Sequence, residues 1–292
     1  MAAPAEPTKK RSSLQLRIVS AAVLIPVAAL AAYAGGAGWF LLVLVFGTAM
    51  ISEWCLISSR ARDPQNPQQR LPARLSPQLV FAILSVYAIL VVSASSVDGP
   101  GFAGVVVFFV SFVLCLFPLP KPDWPRRLWP CLGIFYVGIP CAAFISLRGD
   151  PTVGLQQILW IVALVIAVDT GAYFSGRSIG GPKLAPHISP NKTWAGLIGG
   201  MVSAAIVGAI TTAILGRPSI VPLTVVSAGL AIVEQAGDLA ESAFKRHFGV
   251  KDASNIIPGH GGALDRVDGL IAVAAAVAGI NALIGSSVLT WL

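Results

Sequence analysis

The sequence predicts an all-α integral membrane protein with about nine transmembrane helices. Of its 292 residues, 55 % are hydrophobic and only 11 % are charged, and the mean hydropathy is +0.79. A typical soluble domain carries roughly 25 % charged residues, so a soluble protein this poor in charge could not cover its surface. The same numbers exclude a disordered chain. The apolar segments are continuous rather than alternating, which favours helices over a β-barrel.

Nine segments are long and apolar enough to cross a bilayer, which takes roughly 20 apolar residues per helix. The first five are Arg17–Ala34, Gly38–Ile57, Leu79–Val97, Phe102–Phe117 and Pro130–Leu147. The other four are Gly154–Phe174, Trp194–Leu215, Pro218–Gly237 and Gly269–Leu292. We divide the chain accordingly into N-terminal transmembrane helices, residues 1–150, and a C-terminal region with two polar motif loops, residues 151–292, which is expected to be catalytic.

The net charge of +7 reports orientation in the membrane. When the N-terminus is placed in the cytoplasm, every Lys and Arg except Arg148 and Arg217 falls on the cytoplasmic side. Because basic residues favour that side, we expect a cytoplasmic N-terminus, an external C-terminus and a multi-pass protein of the cell (inner) membrane. The nucleic-acid interpretation of the basic balance is dropped. Ala32-Tyr33-Ala34 resembles a signal-peptidase site, but we expect an uncleaved helix because eight further spans follow.

The first motif loop follows the apolar run that begins at Gly154. Asp169 lies near the end of that run, where an ionisable group is costly and marks a functional candidate; the alternative is an Asp that has reached the headgroup layer. Basic and hydroxyl residues then alternate with glycines: Arg177, Lys183, Ser189 and Lys192. Such a loop can wrap an anion, and the next helix N-terminus favours phosphate. A purely topogenic loop is the alternative.

The second motif loop runs from Glu234 to Asp268. Glu234, Asp238 and Glu241 are spaced to share one helix face, which Ser242 and Lys245 extend. Asp265 and Asp268 form a second wall if the two helices pack. Carboxylates this close repel one another unless a cation, a proton or a basic partner intervenes, and Mg²⁺ takes such oxygen ligands. The alternative for each acid is a solvated helix face or an ion pair with Lys245 or Arg266.

Between the two acidic walls lies a glycine-rich turn, Pro258–Gly262. It contains His260, Gly261 and Gly262 and is accompanied by the cations Arg246, Lys251 and Arg266. Acids for a metal, cations for phosphate and glycines for close backbone approach are the parts of phosphoryl or nucleotidyl transfer. The rest of the molecule is membrane, so we expect a lipid acceptor.

These residues resemble the signature of the phosphatidate cytidylyltransferases, the CDP-diacylglycerol synthases. The matching motifs are Ser242-Ala243-Phe244-Lys245-Arg246, Lys251-Asp252, Pro258-Gly259-His260-Gly261-Gly262 and Asp265-Arg266-Val267-Asp268. Further matching motifs are Asp169–Phe174, Gly176-Arg177, Lys183–Pro186, Ile188–Pro190, Lys192–Trp194, Gly237–Leu239 and Glu53-Trp54. The chain departs from the family pattern at Gly181, Ala195 and Ala263.

The resemblance implies that CTP and phosphatidate give CDP-diacylglycerol and pyrophosphate in phospholipid biosynthesis. It implies Mg²⁺, with a second cation as a further option, and a homodimer. Asp238 and Asp265 are the leading metal ligands, and Asp268 and Asp252 are second choices. The implied catalytic residues are Asp238, Asp265, Lys245 and Arg266. The implied substrate-binding residues are Asp169, Arg177, Lys183, Ser189, Lys192, Ser242, Arg246, Lys251, His260, Gly261 and Gly262.

Two other functions stay open at this point. One is a CTP-dependent lipid kinase, or a cytidylyltransferase for another lipid phosphate, which would keep the metal and triphosphate parts and change only the acceptor. The other is an ion-coupled membrane transporter. A transporter places its acids near mid-span, whereas only Glu53 and Glu234 are candidates for such depth in this sequence.

Overall fold

The computed structural model describes residues 13–58, 124–259 and 261–290, which form seven helices and one β-hairpin. The elements are α1 (Ser13–Ala34), α2 (Gly36–Ser58), α3 (Trp124–Gly149), α4 (Gly154–Ser178), β1 (Lys183–Ala185), β2 (Ser189–Thr193), α5 (Trp194–Ile214), α6 (Val221–His247) and α7 (Leu264–Ile284). Each of the seven helices is long and apolar enough to cross a membrane. The architecture is that of a multi-pass membrane protein.

Seven of the nine predicted spans correspond to these helices. The other two, Leu79–Val97 and Phe102–Phe117, lie outside the described residues, so the count of nine stays a prediction. The first of the seven, α1, is the most peripheral, since 6 % of its apolar window is buried inside the protein. Large apolar side chains that are fully enclosed include Ile51 of α2, Ile134 of α3, Leu164 of α4 and Val277 of α7.

The predicted extent of the second motif loop is wrong at both ends. Helix α6 does not stop at Gly237 but continues to His247, and α7 begins at Leu264 instead of Gly269. The polar residues at these ends stay helical because they pair with each other and with neighbouring elements. At its far end α7 stops at Ile284 rather than Leu292, since Gly285 adopts a left-handed φ of 75°.

The first motif loop also contains more regular structure than the all-α prediction allows. Asp169 and Arg177 lie within α4. Beyond Gly180 and Gly181, whose φ values are 69° and 90°, β1 and β2 form an antiparallel hairpin that pairs Lys183 with Thr193. The short apolar-poor strands give no hydrophobic alternation, which is why the sequence did not predict them.

Small residues let α4 and α5, the helices on either side of the hairpin in the sequence, pack closely. A Cβ on Gly199 of α5 would overlap the Ser175 hydroxyl of α4, and a Cβ on Gly171 would overlap Ser203. The two helices therefore approach at backbone distance, as small residues permit in membrane proteins. Thr193 ends the hairpin and begins α5, since its Oγ1 accepts a hydrogen bond from the Gly196 N–H at 3.0 Å.

Contacts at the two ends of the bundle have different character. At one end, Arg148 of α3 donates to the last carbonyls of α1, with Nε 2.5 Å from the Ala32 oxygen and Nη2 3.0 Å from the Tyr33 oxygen. The opposite end carries the starts of α1, α3, α5 and α7, the ends of α2, α4 and α6, and the hairpin. Both predicted motif regions lie at this second end.

Candidate active site at one end of the helix bundle

Lys245 joins α6 to α7 through two carboxylates. Its Nζ lies 2.6 Å from Glu241 Oε2 on its own helix and 2.6 Å from Asp265 Oδ1 on α7. The Glu241 side chain is fully buried, and the side chains of Lys245 and Asp265 are 12 % and 8 % exposed. A cation between two anions offsets the large cost of removing all three charges from water.

Asp265 is held from both sides. While Oδ1 faces Lys245, Oδ2 accepts hydrogen bonds from the Ala253 N–H at 2.9 Å and the Gly262 N–H at 3.1 Å. Both donors belong to the segment 248–263 that connects α6 with α7. The carboxylate therefore fixes the glycine-rich turn relative to Lys245.

A second ion pair connects the hairpin to α6. Lys192 of β2 places its Nζ 2.6 Å from Asp238 Oδ2 and 3.4 Å from the Gln235 carbonyl oxygen. The other oxygen of Asp238, Oδ1, accepts from the Ser242 hydroxyl at 3.2 Å. The Asp238 side chain remains 28 % exposed, so of the two paired aspartates it is the more accessible to a ligand.

Three more acids surround the Lys192–Asp238 pair. Asp169 of α4 interacts electrostatically with Asp238, Glu234 and Lys192, and Asp268 of α7 interacts with Asp238 and Asp169. Glu234 is buried on α6, where its Oε2 accepts from the Gln235 side-chain amide at 2.8 Å. The site therefore groups carboxyl groups from three helices, with Lys192 and Lys245 set among them.

The segment 248–263 borders two cavities. The first, of about 470 Å³, is polar and lined by Arg17, Asp252, Asn255, Gly259, Gly261 and Arg266. The second, of about 500 Å³, is predominantly apolar and lies between α1, α2 and the stretch Ile256–Pro258. Arg17 Nε donates to the Gly259 carbonyl at 3.0 Å, so the start of α1 takes part in this end of the molecule. Sequence reasoning assigned Arg17 to topology alone.

The remaining predicted site residues are more peripheral. Arg177 donates from Nη1 to the Tyr173 hydroxyl of its own helix at 2.8 Å, and Arg246 donates to the Val250 carbonyl at 3.1 Å. Lys183 and Lys251 are exposed, and Ser189 is half-buried on β2. His260 lies outside the described residues.

Comparison with known proteins identifies the family. A model of the cytidylyltransferase family matches residues 15–283. The chain is 38 % identical over 265 residues to the phosphatidate cytidylyltransferase of Brucella suis biovar 1, covering 90 % of this chain and 92 % of that protein. It is 42 % identical over 143 residues to the phosphatidate cytidylyltransferase of Bacillus subtilis, covering 49 % of this chain and 53 % of that protein.

The chain belongs to the cytidylyltransferase family. The match begins in α1 and ends in α7, so it includes both ion pairs and both cavities. The protein is therefore a nucleotidyltransferase enzyme of the membrane.

The acids of this cytidylyltransferase have the donor chemistry of a Mg²⁺ site. In the described residues no three Asp, Glu, His or Cys side chains are grouped so that they alone could hold a metal ion, and lysines are paired with Asp238 and Asp265. Mg²⁺ is usually held by one or two carboxylates, together with water and substrate phosphates. Asp238 and Asp265 therefore fit a metal that is bound jointly with a nucleotide.

One buried acid of this cytidylyltransferase was not assigned to the site from the sequence. Glu53 of α2 is fully buried and accepts hydrogen bonds from the segment 254–264. Two signals for it were present in the sequence: its place in the Glu53-Trp54 pair of the family pattern, and its position as an acid within an apolar span. Trp54 itself stacks on Phe244 of α6, with ring centroids 3.6 Å apart and planes at 5°.

Proposed function

We propose that this protein transfers the cytidylyl group of CTP to phosphatidate, producing CDP-diacylglycerol and pyrophosphate. Relatives that match the family carry the name phosphatidate cytidylyltransferase. The structural observation that carries the proposal is the position of the Lys245–Asp265 pair. It lies beside a polar cavity and an apolar groove that share the segment 256–263. A nucleotide and a lipid acceptor need these two environments next to each other.

In the proposed reaction, a phosphate oxygen of phosphatidate attacks the α-phosphorus of CTP. A new phosphorus–oxygen bond forms, the bond from the α-phosphorus to the oxygen that bridges to the β-phosphorus breaks, and pyrophosphate leaves. The nucleophile is already an anion, so no general base is required. Lys192, Lys245 and Arg266 supply positive charge where negative charge accumulates, which lowers the barrier when the donors are held in place beforehand.

We propose Mg²⁺ as the cofactor, with Asp238 and Asp265 as leading ligands and Asp268 and Asp252 as second choices. When bound there, the ion would supply Lewis-acid chemistry that polarises phosphoryl oxygens. Before the nucleotide binds, Lys192 and Lys245 neutralise the same carboxylates at 2.6 Å. Lys245 therefore holds Asp265 beside Glu241, Lys192 holds Asp238 beside the hairpin, and both lysines stand ready to pair with phosphate oxygens.

The lipid acceptor is assigned to the two adjoining cavities. In this proposal an acyl chain occupies the apolar groove between α1 and α2, lined by Val23, Phe46 and Ile257 among others. The lipid phosphate then faces Arg17 and Arg266 in the polar cavity, which also contains the carboxylate of Asp252. A guanidinium binds phosphate oxygens in a bidentate manner. The attraction of the phosphate to the two arginines therefore exceeds its repulsion by the carboxylate of Asp252.

We propose that this end of the bundle faces the cytoplasm, where CTP is found. A cytoplasmic N-terminus, nine spans and an external C-terminus in the cell (inner) membrane complete the proposed topology, supported by the distribution of Lys and Arg. The homodimer expected from the resemblance also stays a prediction. Crosslinking of the protein in native membranes tests it.

The substrate assignment is tested by supplying purified protein with Mg²⁺, α-labelled CTP and micelles of phosphatidate, of a different lipid phosphate or of diacylglycerol. We expect the label to enter the lipid phase with phosphatidate only, and to stay in the aqueous phase after chelation of Mg²⁺. Incorporation with another lipid phosphate in preference to phosphatidate would contradict the substrate assignment. Incorporation that survives chelation would contradict the metal assignment.

A further inference from the structure

Glu53 is a fully buried carboxylate near the end of α2, in the half of the chain that carries none of the predicted site residues. Its Oε1 accepts hydrogen bonds from the Ser254 hydroxyl and from the Ala263 N–H, the latter at 2.9 Å. Its Oε2 accepts from the Leu264 N–H at 2.8 Å. All three donors lie more than 200 positions away in the sequence, on the segment that leads into α7.

These bonds supply the cap that α7 lacks in its own sequence. The first N–H groups of a helix have no partner within the helix, and a Ser, Thr, Asp or Asn usually accepts from them. The N-cap residue of α7 is Ala263, which makes no side-chain cap. A carboxylate of α2 takes this role instead, at the end of the helix where negative charge is favourable.

Glu53 and Asp265 both hold the turn that leads into α7. The Gly262 N–H donates to Asp265 Oδ2. A Cβ added at Gly262 would lie 3.0 Å from Asp265 Oδ2 and 3.0 Å from Glu53 Oε1. Both carboxylates therefore crowd the position that a side chain would take at Gly262, and Asp265 is the second residue of the helix that Glu53 caps. Through this connection α2 determines where Asp265 stands relative to Lys245.

We propose that Glu53 is a positioning residue for the transfer reaction: it binds Ser254, Ala263 and Leu264 and thereby fixes Asp265 against Lys245. This inference rests on the proposed function for its kinetic readout alone. Glu53 contacts the segment that leads into α7, so its contribution reaches the reacting groups through Asp265.

The kinetic test uses Glu53→Gln, Ser254→Ala and the double variant. Glutamine keeps the size of the side chain but replaces one acceptor with an NH₂ group, so at least one of the three donors loses its partner. Substitution of residues that orient a ligand set typically costs about 10- to 100-fold in activity, and we expect a fall in kcat of that order for Glu53→Gln. Because Glu53 and Ser254 act through one bond, the double variant should lose less than the product of the single losses.

Ser52→Ala is the matched control. Ser52 lies next to Glu53 on α2, and its hydroxyl donates to the Thr48 carbonyl within the same helix at 2.7 Å. Removing this bond leaves the α7 cap untouched, so we expect kcat within about twofold of the original protein. A loss in Ser52→Ala equal to that in Glu53→Gln would show that any polar change in α2 has the same effect, and would overturn the positioning role.

Hydrogen exchange of the α6–α7 segment provides a readout that does not depend on activity. We expect Glu53→Gln to accelerate amide exchange in residues 254–264 while exchange in α4 and α5 is unchanged. Unchanged exchange in 254–264, or losses from Glu53→Gln and Ser254→Ala that multiply independently, would overturn the proposal. If the unmodified protein lacks transferase activity, the proposed function fails, yet the exchange result still decides whether Glu53 fixes the turn. If Glu53→Gln does not fold, Ser254→Ala alone must show the accelerated exchange.

Discussion

Replacing Asp265 by Asn removes a negative charge from the site without changing the size of the side chain. In the intact protein one oxygen faces Lys245 Nζ at 2.6 Å, and the other accepts two backbone hydrogen bonds, from Ala253 and Gly262. An asparagine has a single acceptor oxygen. If that oxygen faces Lys245, the NH₂ group points at two N–H donors; if it faces the backbone, the NH₂ group points at an ammonium.

Either orientation loses hydrogen bonds, and the loss costs free energy because the buried pair cannot replace them with bonds to water. A hydrogen bond to a charged group contributes about 1.5–3 kcal/mol when its partners are shielded from water, and Asp265 and Lys245 are 8 % and 12 % exposed. Since 1.4 kcal/mol corresponds to about a tenfold change in an equilibrium, the correctly held turn becomes roughly 10- to 100-fold less populated. We expect kcat to fall at least that far, and further if Asp265 also binds the metal.

The assay is initial-rate release of pyrophosphate by protein purified in detergent, at saturating CTP and phosphatidate. The matched control is Asp150→Asn at the opposite end of the bundle. Asp150 Oδ1 accepts from the Thr152 hydroxyl at 2.6 Å and the Thr152 N–H at 2.8 Å, so it makes comparable bonds that lie far from the site. Activity of Asp265→Asn close to that of Asp150→Asn would refute the role assigned to the Lys245–Asp265 pair.

Two further substitutions test the second ion pair and the helix packing. Lys192→Met should lower kcat more than Lys183→Met, because Lys192 pairs with Asp238 at 2.6 Å whereas Lys183 is exposed on the other strand; equal effects in pyrophosphate release would contradict this. Gly199→Ala should lower stability by about 1–3 kcal/mol, the usual cost of overpacking, since its Cβ would overlap Ser175 of α4. Gly229→Ala meets open space and should leave the melting temperature unchanged in the same thermal scan.

Local spacing predicted the acidic faces of α6 and α7. Glu234, Asp238 and Glu241 recur at helical intervals, and Asp265 and Asp268 do the same on the next helix. The structure brings the two faces together through Lys245, which contacts one acid from each helix. The sequence could predict this grouping because α6 and α7 follow one another in the chain, joined by the segment 248–263.

Helix ends were harder to predict than helix faces. Hydropathy placed the end of α6 at Gly237, because apolar residues become rare beyond that point. The helix continues to His247 since Asp238, Glu241 and Lys245 find their partners on neighbouring elements. Hydropathy averaged over neighbouring residues in the sequence does not detect ion pairs of this kind, because the partners are distant in the sequence.

Two contacts depend on the fold as a whole. The pairing of Lys192 with Asp238 requires the hairpin, whose strands carry no hydrophobic alternation, and the close approach of α4 and α5 at Gly199. The cap on α7 comes from Glu53, more than 200 residues earlier. In the sequence Ala263 gives no capping signal, and only the structure shows what replaces it.

The central claim is cytidylyl transfer to a lipid phosphate, and the position of a label in CTP tests it most directly. The purified protein is given phosphatidate, Mg²⁺ and CTP labelled either at the α-phosphate or at the γ-phosphate. We expect the α-label to enter the lipid while the γ-label is released as pyrophosphate. Entry of the γ-label into the lipid, with release of CDP, would identify a lipid kinase and contradict cytidylyl transfer.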